Sequence, residues 1–361
     1  MPQDTDISTK SEIHSKPDTQ PHKAVRSFRR DESLDIAKGF GILLVVLGHC
    51  LIGLKNSNFF PASLAWPSLA VTTIYFFHMP LFFVVSGHLA SGKHRPATST
   101  IAKLIPTIVY PYFLWSILQT LVEIYLTKYT NSHATIASVY KLLWIPIVPY
   151  WFLYALFFCH LGYLAIRKLP PAVQISIAAA LFILPLFFGD FIFRHSLLVV
   201  LQTTRGFLYF VIGVVTVRQM KQLGRWAAIS ATLLFAVFGT VYVQSQFQGP
   251  AGILALLPAA LSGIVATLAW SRLLAAYDNF AIRTLAFLGR YSMSIYVMHI
   301  FVTAGVRIAL QRLHVQPNLA GTILEIASAT VLGVVIPLGV NWIASKVSLD
   351  AWLGIQHMET S

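Results

Sequence analysis

Lys38 and His49 stand eleven residues apart within the apolar run Asp35-Ile36-Ala37-Lys38-Gly39-Phe40-Gly41 to Gly48-His49-Cys50. Eleven helical steps of about 100° turn about 1100°, roughly 20° past three full turns, so the two side chains share one stripe about 16 Å apart along the axis. An imidazole so placed suits general base chemistry toward a hydroxyl, worth about 10²–10⁴ in rate, and its unperturbed pKa of about 6.5 matches neutral pH. The lysine, at the mouth of the stripe, offers a point charge to a phosphate. Gly39, Gly41 and Gly48 let a neighbouring backbone or ligand approach the same helix. A purely structural alternative has Lys38 snorkelling and pairing with Asp35 one turn back, and His49 hydrogen-bonding between helices.

Other polar groups recur inside apolar runs, where a charge costs about 2.5–3.5 kcal/mol even on insertion scales. The second run reads Phe76-Phe77-His78-Met79-Pro80-Leu81-Phe82-Phe83-Val84-Val85-Ser86-Gly87-His88. Pro80 releases the carbonyl of Phe76 from its helical bond, which predicts a bend near His78, while Ser86-Gly87 suits close helix packing or substrate contact. Trp151 opens another run; it reads as an interfacial belt residue or a sugar-stacking face. Arg205 has no acidic neighbour in sequence and is expected to face the bundle interior. Tyr296 and His299 complete the intramembrane polar set.

The elements that must position these residues are membrane helices. Of 361 residues, 56% are hydrophobic and 11% charged, against about a quarter charged in an ordinary globular domain. Apolar runs long enough to cross a hydrocarbon core of about 30 Å fall near 36–54, 69–90, 104–126, 145–166, 172–189, 197–217, 226–243, 252–270, 286–308 and 320–343. An all-α polytopic bundle of ten spans follows, with 35–345 as the membrane domain. Residues 1–34 read as a disordered basic cytoplasmic tail and 346–361 as a short cytoplasmic tail. With ten spans, nineteen of the 26 lysines and arginines fall on the side of the basic tail, so both termini are expected in the cytoplasm. Cys50 and Cys159 lie in apolar runs and read as buried thiols. No metal-ligand cluster, phosphate-binding Gly-rich loop or nucleic-acid motif competes with this reading.

The spacing of Lys38 and His49, the Phe-His-Met-Pro-Leu-Phe-Phe stretch with Ser86-Gly87, Trp151-Phe152-Leu153, Arg205 through Gly213, and Leu288-Gly289 through His299 resemble the acyltransferase family 3 membrane O-acyltransferases, over about residues 30–345. The resemblance implies acyl transfer, usually of acetyl from cytosolic acetyl-CoA, to a glycan such as an exopolysaccharide or lipid-linked oligosaccharide, at a bacterial inner membrane. It assigns the catalytic positions to His49 and Lys38. His78, Ser86, Trp151, Arg205, Tyr296 and His299 are then expected around the substrate, with Arg205 or His299 as oxyanion stabiliser and the acceptor entering from the outer half near Arg205 and Trp151. Lys38, Lys93, Arg95 and Lys103 are expected to hold CoA phosphates, although Lys93-His94-Arg95 departs from the Arg-rich pattern of many members. A transporter or flippase for a glycan or anion is the rival class. It would show pseudo-symmetric halves with matched broken helices, a pairing the sequence lacks.

Overall fold

The computed structural model describes residues 31–57, 66–91, 96–125, 135–188, 198–244 and 249–358. Among the described residues every regular element is helical. The helices are α1 (Glu32–Asn56), α2 (Trp66–Tyr75), α3 (His78–Ser91), α4 (Ala97–Leu104), α5 (Tyr110–Tyr125), α6 (Ile136–Lys141), α7 (Trp151–Ile166), α8 (Pro171–Phe187), α9 (Leu198–Val215), α10 (Val217–Met220), α11 (Arg225–Gln244), α12 (Gly249–Leu274), α13 (Phe280–Arg290), α14 (Ser292–Arg312) and α15 (Leu319–Lys346). Among the described residues, seven helical units are long and apolar enough to cross a membrane, counting α2 with α3 and α4 with α5; α7, α8 and α9 hold shorter apolar stretches. The protein is thus an all-α integral membrane bundle.

Prolines account for the interruptions. The α2–α3 unit breaks at Phe76–Phe77, where Pro80 can neither donate to the Phe76 carbonyl nor tolerate it in helical position. The α4–α5 unit contains a π turn over Ile105–Val109. Pro111 cannot donate to Thr107, and the Tyr110 amide reaches back to Ile105 instead, a register common beside functional sites.

Two expected boundaries shift. Residues 145–150 are not helical and lead into α7, because the residues preceding Pro146 and Pro149 are pushed out of helical geometry. The expected 286–308 span is divided at Tyr291. Before the break, α13 is a separate amphipathic helix burying Ile282, Ala286, Leu288 and Gly289; the Asn279 side chain caps it by accepting from the Ile282 amide at 3.0 Å.

Glycines bring two helix pairs into backbone contact. A Cβ at Gly39 would overlap the Leu285 carbonyl, and one at Gly289 the Asp35 carbonyl, so α1 and α13 touch main chain to main chain. Gly87 against Phe210, and Gly213 against Val84, join α3 to α9 in the same way. Both contacts lie toward the end of the bundle where α1 begins. The principal core runs through Val45, Leu81, Phe83, Tyr150, Phe210 and Ile295.

Candidate active site

α1 carries His49 beyond its midpoint, next to Gly48, where an added methyl would meet the Tyr75 ring at 2.8 Å. The missing side chain therefore lets α2 approach the histidine. Because the α2–α3 unit breaks immediately after Tyr75, that tyrosine and His78 face the same spot, their ring centroids 4.7 Å apart. His49 lies 6.0 Å from Tyr75 and 5.2 Å from His299 on α14. Three histidines and a tyrosine, contributed by four helices, form one cluster.

The hydrogen bonds of the cluster determine what each group can offer. His299 is fully buried. Its Nδ1 lies 2.8 Å from the Tyr296 carbonyl and 3.2 Å from that of Ile295. Both partners only accept, so Nδ1 carries the hydrogen, and in the neutral ring Nε2 presents a lone pair. That Nε2 has no hydrogen-bond partner among the described residues, and neither does the Tyr75 hydroxyl. His78 is held likewise, with Nδ1 2.7 Å from the Ile74 carbonyl. Through Nε2 a neutral His299 accepts rather than donates, which removes it as an oxyanion donor in that form. Tyr75 has a free O–H to donate.

The other expected residues fall into distinct surroundings. Tyr296 donates its hydroxyl to the Pro149 carbonyl, and Tyr150 donates to Val297 at 2.7 Å. This reciprocal pair fastens the start of α7 to α14, so Tyr296 anchors the site. Arg205 and Trp151 do meet, in a cavity of about 430 Å³ that Tyr75, Tyr209, Tyr242 and Gln202 also line. Arg205 makes no ion pair among the described residues. His49 opens instead into a separate cavity of about 400 Å³ with Asn56, Gln119, Glu123, Arg307 and Glu325; the Tyr75 ring stands between the two.

Ser86 and Lys103 come together away from both, in a cavity of about 260 Å³ shared with Thr100, Thr107, His160, Tyr163 and Arg167. The π turn forms part of its wall. Lys38 bonds to Asp35 at 2.6 Å, one turn back on α1, and does not line the His49 cavity. Lys93 and Arg95 lie outside the described residues. Tyr75, Gln119, Glu123, Arg307 and Glu325 escaped the sequence reading. For the charged residues a signal was present, since an ionisable group inside an apolar run needs a reason to be there.

Comparison with known proteins adds a family. The model of the acyltransferase domain matches residues 31–342. Nodulation protein NolL of Mesorhizobium japonicum is 31% identical over 151 residues, 41% of this chain and 38% of that protein. NolL of Sinorhizobium fredii is 32% identical over 130 residues, 35% of this chain and 34% of that protein. The aligned region thus spans little more than a third of either relative's length. No solved structure matches the chain.

Proposed function

From the premise that this chain belongs to the acyltransferase domain family, and is therefore a membrane acyltransferase, we propose that it moves an acetyl group from acetyl-CoA to a sugar hydroxyl of an exopolysaccharide or lipid-linked oligosaccharide. The observation that carries this reading is the junction of His49, His299 and Tyr75 at the edge of a cavity. His49 takes the proton of the sugar hydroxyl as its oxygen attacks the thioester carbonyl carbon. The Tyr75 hydroxyl donates to the resulting oxyanion. Collapse breaks the C–S bond, and His49 returns the proton to the departing thiolate, leaving an O-acetyl ester and free CoA. His299 packs its ring against His49, with centroids 5.2 Å apart, and so confines the base.

CoA approaches from the cytoplasm. Lys103 and Arg167 in their shared cavity, together with Lys38, Lys93 and Arg95, supply cations for its phosphates. This assignment requires ten spans, with α7, α8 and α9 crossing as short helices and both termini cytoplasmic, in a bacterial inner membrane. Residues 1–34 and 346–361 then form cytoplasmic tails flanking the membrane domain.

The test is donor dependence in proteoliposomes containing the full chain, acetyl-labelled acetyl-CoA and lipid-linked oligosaccharide extracted from the host. Label should enter the glycan with one free thiol released per acetyl transferred. Glycan movement without thiol release would replace the proposal with a transporter.

A further inference from the structure

We propose that the His49 cavity seats the acyl acceptor and recognises it as a hydroxyl donor, through Gln119 and Glu325 in its lining. The inference rests on the acyltransferase reading and places the sugar away from Arg205 and Trp151. Gln119 is 8% exposed and Glu325 1%. The Gln119 amide nitrogen donates to Glu123 Oε1 at 2.8 Å and to the Val148 carbonyl at 2.9 Å. Both of those partners accept, so the orientation of the amide is fixed and its oxygen is turned elsewhere. That oxygen and Glu325 Oε2 are buried acceptors with no hydrogen-bond partner among the described residues, a condition that native proteins rarely leave uncompensated.

Both residues line the same cavity as His49, and its volume of about 400 Å³ lies within the usual small-ligand range of about 300–1,000 Å³. A wall with two unpaired buried acceptors selects a ligand that brings O–H groups. It disfavours nucleotide phosphates, which bring further acceptors and negative charge toward Glu123 and Glu325; Arg307 supplies the wall's positive charge and can meet a ring or glycosidic oxygen. A sugar held by two hydroxyls here would present a third to His49. The Arg205 cavity, by contrast, is aromatic and cationic, and its chemistry suits an anion or an apolar tail better than a neutral polyol.

The test is site-specific protection in the full chain, with Cys50 and Cys159 replaced by serine. Asn56→Cys reports on the His49 cavity and Gln202→Cys on the Arg205 cavity, each labelled with a small thiol reagent. Host-extracted lipid-linked oligosaccharide should slow labelling at Asn56→Cys at least fivefold and leave Gln202→Cys unchanged, while acetyl-CoA protects neither. Adding Glu325→Gln should raise the glycan concentration for half-protection about tenfold, as exchanging one buried oxygen acceptor for an amide donor would. Gln119→Leu is the second variant should Glu325→Gln fail to accumulate in membranes. Protection at Gln202→Cys alone, protection of Asn56→Cys by acetyl-CoA, or unprotected Asn56→Cys would each overturn the assignment. Acetyl transfer measured on the same preparation separates the two failures: transfer with the wrong protection pattern defeats only the site, and absence of transfer defeats the reaction.

Discussion

At the residue scale, His49 and Lys38 have different surroundings although they share a helix stripe. His49→Ala should lower transfer by about 10²–10⁴, the usual worth of a positioned base, with membrane content unchanged, since a methyl group inserts as readily as an imidazole. Quantifying labelled glycan against inserted protein checks this; near-normal transfer would remove His49 from the mechanism. Lys38 is harder to read because its partner Asp35 is itself buried. Lys38→Ala alone takes the ion-pair partner from that carboxylate, and breaking a buried pair in this way costs about 3–5 kcal/mol. The paired variant Asp35→Asn with Lys38→Met removes both charges and should insert normally while keeping a raised KM for acetyl-CoA and an unaltered acceptor KM. Recovery of the donor KM would reduce Lys38 to a partner for Asp35. His49, His78 and His299 were legible from their types alone, as imidazoles inside apolar runs. Tyr75 was not, because a tyrosine near a span end ordinarily marks the membrane interface; only the bend after it turns its ring onto His49.

At the element scale, the site depends on how closely α1 can be approached. Gly39→Ala and Gly289→Ala each force a methyl into a neighbouring carbonyl, an overpacking that costs about 1–3 kcal/mol. Gly305→Ala meets nothing within 4 Å and should be neutral or stabilise by about 0.5–1 kcal/mol, the ordinary helical gain over glycine. Thermal unfolding in detergent should separate the first two variants from the third by several degrees. The bend at Phe76–Phe77 was readable from Pro80, whereas the independence of α13 was not. Its sequence joins α14 through Leu288-Gly289-Arg290-Tyr291 without a proline, and hydrophobicity alone runs the two together. The amphipathic face of α13 separates them, because it packs on α1 through Gly289.

At the scale of the whole molecule, the run of apolar segments made the helical membrane fold plain, while the partition of polar groups among three cavities required the tertiary arrangement. The proposed ten crossings would put Lys168 inside and His314 outside. Cysteine at position 168 should react with an impermeant reagent only after the inner face is opened, and cysteine at position 314 in intact cells; the reverse pattern, or both on one side, would break the topology. The main-chain junctions of α1 with α13 and of α3 with α9 lie toward one end of the bundle, and the His49 cavity lies toward the other, with exposed Asn56 on its lining. A hydrated hollow in an energised membrane is a hazard, since ions and protons would dissipate the gradient if it ran through. Here the α1–α13 and α3–α9 seams hold backbone against backbone, too tight for a file of water, so any leak path would have to avoid both of them.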